Sequence, residues 1–260
     1  MRLQFDPVLI ITTLFLFGLF MLLIIGGFVF VLNRFKSKGR EEDSIDSVLL
    51  QIAVPKNNEV KIDAMDQFFS ALYSIKQGGW KQKYKKQASI SFEMVAKKED
   101  IRFYIWTPKE FQDLVEKQVH GVYPDADVQE VTEYNLFTEN GKVAYKSLQL
   151  KKENYYPLKT FRDLPTDPLS LLTSALAKMG DNEAAALQVL VSPAESSWQS
   201  AGYSFISSTK KQESDPEKAK YSVGAKTLEA IENKIAKPGF ETSIRFVCVS
   251  NNEHSANAHL

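Results

Sequence analysis

The hydrophobic pattern of the chain falls into one unbroken block followed by short periodic segments. From Val8 to Leu32 it reads VLIITTLFLFGLFMLLIIGGFVFVL, with no charged residue. At ~1.5 Å per residue, a helix of that length exceeds the ~30 Å hydrocarbon core of a bilayer. Asn33 follows, and then Arg34, Lys36, Lys38 and Arg40. The pattern predicts a tail and transmembrane helix over residues 1–33 and a basic, charged linker over 34–45. A signal peptide would place its charge before a shorter apolar core and end at a small-residue cleavage site. Here the basic cluster lies behind a longer core, and no Ala-x-Ala site is present. By the positive-inside rule, Arg34, Lys36, Lys38 and Arg40 determine the topology. They predict a single-pass protein of the cytoplasmic membrane, with its N-terminus outside and residues from 34 onward in the cytoplasm.

Beyond the linker the periodicity changes. Ser47–Val54 is aliphatic and ends at Pro55, a strand. Ile62–Ile75 carries Met65, Phe68, Phe69, Leu72 and Ile75 at helical spacing, with Asp63 as its expected cap. Ile90–Ala96 and Ile101–Trp106 alternate and predict a hairpin. Thr107-Pro108 reads as the cap and first-turn proline of a helix reaching about His120, stopped by Gly121 and Pro124. Asp127–Tyr134 is the next strand. The order β-α-β-β-α-β predicts a ferredoxin-like domain over residues 46–136, with Phe68, Leu72, Phe92, Ile105, Phe111, Leu114 and Val115 between sheet and helices.

The pattern then restarts. Lys142–Leu150 is a strand, Asp167-Pro168 opens a helix running through Met179, and Ala184–Val191 is a strand. Ala194 to about Ser207 and Val223–Ala236 are helical, and Ser208–Lys220 between them reads as mobile. Ser243–Ser250 is a strand, and Asn251 to His254 starts a helix. Residues 137–260 are therefore expected to form a second, incomplete ferredoxin-like unit with a helical insertion, continued beyond residue 260. The fold class is α+β. The first unit, with all its elements, is expected to fold alone and to be better behaved than the longer chain.

Charge is balanced, 32 basic against 32 acidic residues, so bulk electrostatics give no reason to expect a nucleic-acid partner. A weak basic patch gathers Lys76, Lys81, Lys83, Lys85 and Lys86, with a solvated loop as its plain reading. Cys248 is the only cysteine and lies in an apolar run, which suits a buried small hydrophobe. In IRFYIW (101–106) Phe103 and Ile105 share one face and Tyr104 and Trp106 the other. The run lacks the glycines of the RNA-stacking strand, so a core face and a covered face are expected.

The anchor, LLQIAVPKNNEVKIDAMDQFFSALYSI, ISFEMVAKKEDIRFYIWTPKEFQDLVEKQVHGVYPDADVQEV, LQLKKENYYPLKTFRDLPTDPLSLLTSALAKM and KPGFETSIRFVCVS together cover nearly the whole chain. In these stretches the chain resembles the N-terminal region of membrane-anchored type IV secretion and conjugation coupling-protein-like ATPases of bacteria. The resemblance implies a motor domain downstream that engages DNA or secreted protein; no catalytic motif carries it here.

Motifs for chemistry are missing from the sequence itself. Gly224-Ala225-Lys226-Thr227 lacks both P-loop glycine positions that matter. His120, His254 and His259 have no metal-ligand spacing, and no cofactor site is read. The expected function is a non-catalytic, membrane-tethered scaffold of a secretion or conjugation system, with lipid and protein partners. The alternative is an independent membrane-anchored nucleic-acid-binding protein. Homo-oligomerisation stays open: Gly18, Gly26 and Gly27 allow close helix approach but form no Gly-x-x-x-Gly pair.

Overall fold

The computed structural model describes residues 7–78, 87–98, 100–213 and 224–260. The chain divides into two compact units, one holding the N-terminal helix and the other the sheet with the remaining helices. In the first unit, α1 spans Pro7–Ile45. Its 21-residue stretch Ile11–Val31 is apolar and long enough to cross a membrane, and none of it is covered by protein. The linker expected over 34–45 is helical, a continuation of α1.

The second unit is mixed α+β. Its strands are β1 (Ser47–Ala53), β2 (Ile90–Lys97), β3 (Asp100–Pro108), β4 (Asp127–Val131), β5 (Lys142–Ser147), β6 (Ala184–Pro193) and β7 (Phe240–Ser250). They form one sheet in the order β4-β1-β3-β2-β6-β7-β5. Every neighbouring pair is antiparallel. The helices are α2 (Ala64–Leu72), α3 (Gln112–Val122), α4 (Pro168–Leu176), α5 (Ser197–Glu213), α6 (Ala225–Ile235) and α7 (Glu253–Ala258).

Strand alternation divides the side chains between two faces. Leu50, Ile105, Phe92 and Val189 lie in register across β1, β3, β2 and β6 and meet α2 and α3. Phe68 and Leu72 of α2, and Val115 and Val119 of α3, are buried on them. Burying each such side chain contributes roughly 1.5–3 kcal/mol. Further along the same face, Leu176 at the end of α4 and Met179 pack on Met94, Ala96, Ala185 and Cys248. A separate cluster joins α5 and α6: Ile206, Leu228, Ile231 and Ile235 pack with Tyr155, Tyr156, Trp198 and Phe205. Lys234 ties residues 154–156 to α6, donating to the carbonyls of Asn154 and Tyr156. Burial lowers its pKa.

Several expectations are corrected. Asp63 makes no side-chain cap to α2; its carboxylate pairs with Arg162. Thr107 opens no helix, because pairing with β1 extends β3 to Pro108, opposite Ser47. Thr107 is fully buried, and a 3-10 turn intervenes before α3. β4 stops at Val131 rather than Tyr134, since Tyr134 is drawn onto the sheet face away from α2 and α3. Residues 208–213, expected to be mobile, continue α5, with Thr209 buried and its hydroxyl donating to the Phe205 carbonyl.

Residues 46–136 and 137–260 share the one sheet through β2 and β6, paired from Ile90 opposite Val191 to Lys97 opposite Ala184. β2 is thus an interior strand. This reverses the expectation for a fragment cut after Tyr134: a fragment of residues 40–136 should associate through bared β2, whereas residues 40–260 should melt in one transition at higher temperature. Phe68→Ala should cost roughly 3–5 kcal/mol in urea denaturation. Phe111, only half-buried in its turn, should cost about 1–2 kcal/mol when cut to alanine.

Candidate functional site

The helix face of the sheet is incompletely covered. Ile105 is 6% exposed beneath α2 and α3, but Phe103, two residues along the same face of β3, is 48% exposed. α2 has nine residues and reaches the sheet through Met65 and Phe68, while α4 packs beyond Met94. Over Phe103 lies an apolar groove of about 570 Å³, floored by Ile52, Phe103, Met94 and Leu187 and walled by Met65, Phe68, Val119 and Tyr123. Glu93, Arg102 and Tyr104 reach it only by their backbone, because alternation sends their side chains to the other face. The groove offers apolar surface and no acid or base. It suits the burial of hydrophobic side chains, not group transfer.

The opposite face holds the one buried carboxylate among the described residues, Glu93. It accepts from Ser91 Oγ at 2.7 Å, from Gln188 Nε2 at 3.1 Å and from the Tyr134 hydroxyl. Burial, and then the hydrogen bond to Glu93, raise the Tyr134 pKa well above its ordinary value. The Tyr134 ring lies tilted against that of Tyr104, centroids 5.0 Å apart, and Leu136 is buried beside them. The cluster latches residues 134–136 over this face. Tyr104 is therefore covered by the chain itself and offers no platform for a base.

A third cluster imitates a hydrolytic trio. Glu183 Oε1 lies 2.9 Å from Ser250 Oγ and 3.4 Å from His259 Nε2. The serine donates to the carboxylate, and no bond to the imidazole takes its proton, so the hydroxyl is not activated. The Gly180 N–H first, and then Ser250, hold the Glu183 pKa below the usual carboxylate value. Cys248 nearby is buried, which pushes its thiol up to about 11, and a thiol so protonated is not a nucleophile.

Arg34, Lys36, Lys38 and Arg40 lie along α1, past its apolar stretch. Lys76 is half-buried and donates to the Ala194 carbonyl at 3.1 Å, with Glu195 at 3.7 Å. It clips the end of the α2 segment to the end of β6. Lys81, Lys83, Lys85 and Lys86 lie outside the described residues. Gly224 to Thr227 open α6. His120 is exposed on α3 and His254 on α7; among the described residues, no three metal-ligating side chains converge. Sequence reasoning missed the Glu93 cluster, whose members Tyr134 and Gln188 lie 41 and 95 residues away. The only local signal is a carboxylate within the apolar alternation of ISFEMVA.

Because the folded Tyr134 pKa is raised, its contribution to stability is full below the unfolded tyrosine pKa of about 10 and is lost as pH climbs through the folded value. Melting temperature should therefore fall above about pH 10, and less steeply in Tyr134→Phe. At neutral pH that variant should be about 1–2 kcal/mol less stable, by chemical denaturation, because Glu93 loses a donor.

No curated protein matches the chain. A family model described as Domain of unknown function (DUF8128) matches residues 39–260, which take in the whole sheet unit. The chain belongs to this family, DUF8128.

Proposed function

We propose that the protein is a non-catalytic, membrane-tethered assembly module of a type IV secretion or conjugation-like system. The observation that carries the tether is the stretch Ile11–Val31, whose side chains are all exposed. An uncovered apolar surface of that extent calls for lipid. The basic residues Arg34, Lys36, Lys38 and Arg40 support an orientation with the N-terminus outside and the sheet unit in the cytoplasm.

The sheet supports the modular reading. The run β4-β1-β3-β2, with α2 and α3 on one face, supports reading residues 46–136 as a ferredoxin-like unit. The run β6-β7-β5, with α4 on that same face, supports a second such unit as far as its third strand. The continuous sheet they share through β2 and β6, with its apolar groove, offers surface suited to protein contact. The assignment to secretion or conjugation rests on the sequence resemblance. The nucleic-acid alternative loses Lys76, whose ammonium is engaged by Ala194.

A reporter fused at Lys38 should be cytoplasmic, and the chain should stay with membranes through alkaline extraction. Replacing Arg34, Lys36, Lys38 and Arg40 by neutral residues should weaken or invert insertion. Deleting the gene in its host should abolish DNA or protein export while sparing growth. Unimpaired export, or release of the protein by alkali, would sink the reading, and tight DNA binding at physiological salt would favour the alternative.

A further inference from the structure

The two edges of the sheet carry opposite charge. β4 reads Asp127-Val128-Gln129-Glu130-Val131, and its only charged residues are acidic. β5 reads Lys142-Val143-Ala144-Tyr145-Lys146-Ser147, and its only charged residues are basic. Among the described residues, no strand pairs with the outer side of either. The β5 edge also exposes apolar surface, with Tyr145 79% and Val143 47% exposed. Unpaired strand edges are templates for pairing with another chain.

Like edges do not suit each other. Two β5 strands paired antiparallel about Ala144 would set Lys142 opposite Lys146 twice over, and like charges directly opposite are destabilising. Two β4 strands would bring together only negative charge. The unlike edges fit. Six antiparallel steps separate β4 from β5, so the two strands run in the same direction. A second copy, translated sideways with its helix face on the same side, can therefore lay its β4 parallel to β5. The register that sets Lys146 opposite Glu130 also sets Ala144 opposite Val128, all on the helix face. On the other face it sets Tyr145 opposite Gln129.

We propose that copies of this chain assemble head to tail, β5 of one against β4 of the next, in that register. The contact is heterologous, so it closes into a ring or continues as a filament. It rests on the sheet edges and is independent of the secretion reading.

The test uses the full chain in liposomes containing no other protein. Adjacent strands lie ~4.8 Å apart, within reach of a disulfide between opposed cysteines. A chain carrying both Gln129→Cys and Tyr145→Cys should give a ladder of disulfide-linked species under mild oxidation, and either substitution alone should give none. Adding Glu130→Lys should abolish the ladder, and adding Lys146→Glu to that chain should restore it. All four positions are exposed, and an unchanged melting temperature shows that each variant is folded; where Glu130→Lys is not, Lys146→Glu alone, which sets two carboxylates opposite, takes its place and should likewise abolish the ladder. The proposal is overturned if the doubly substituted chain gives no ladder. It is equally overturned if Tyr145→Cys alone gives dimers, if Glu130→Lys leaves the ladder intact, or if Lys146→Glu fails to restore it.

Discussion

The pairing of β2 with β6 is the constraint on which the rest of the sheet unit depends. Without it each half would bare a central strand, and the two would be neighbours on a chain. With it, the hydrophobic face continues from Leu50 on β1 through Phe92 on β2 to Val189 on β6 and Ile244 on β7. The seam is sealed on both sides. On the helix face, Phe92 meets Phe68 and Phe69 of α2 edge-on, and Phe69 in turn meets Phe240 of β7. On the other face, Glu93 and Gln188 sit opposite each other in register and share a hydrogen bond.

That polar seam has a cost offset by its completeness. A buried carboxylate is strongly unfavourable unless its oxygens are satisfied. Here three donors reach Glu93 from β2, β6 and the 134–136 segment. The same bonds that satisfy the charge decide where the chain goes after β4. They also fix the strand register, since a slip of one residue would move Glu93 into the apolar layer beneath α2. Where such sealing is missing, over Phe103, the sheet keeps an apolar groove.

What was readable in the sequence was local. The uncharged run before Arg34 announces the apolar helix, and the alternation of ISFEMVA and IRFYIW announces β2 and β3. The helical spacing of Phe68 and Leu72 assigns α2, and that of Leu228, Ile231 and Ile235 assigns α6. Boundaries failed where a distant partner outweighed a local signal. Thr107-Pro108 has the chemistry of a helix start, but the ladder with β1 holds it as strand. Asp63 has the chemistry of a cap, but Arg162, 99 residues on, takes its carboxylate. The groove was not readable at all, because it is made by what two helices leave uncovered, and periodicity within one helix cannot report where its neighbour ends.

Cys248 gives the molecule an internal gauge. It sits on β7 between Ala144 of β5 and Ala185 of β6, and burial holds its thiol in the unreactive protonated form. A thiol reagent at neutral pH can reach it only when its cover lifts, Leu176 and Met179 together with His259 and Leu260. The rate at which the unaltered protein takes up such a reagent therefore measures how often that part of the helix layer opens. Comparing it with the rate of global unfolding would show whether this cover lifts on its own or only with the whole.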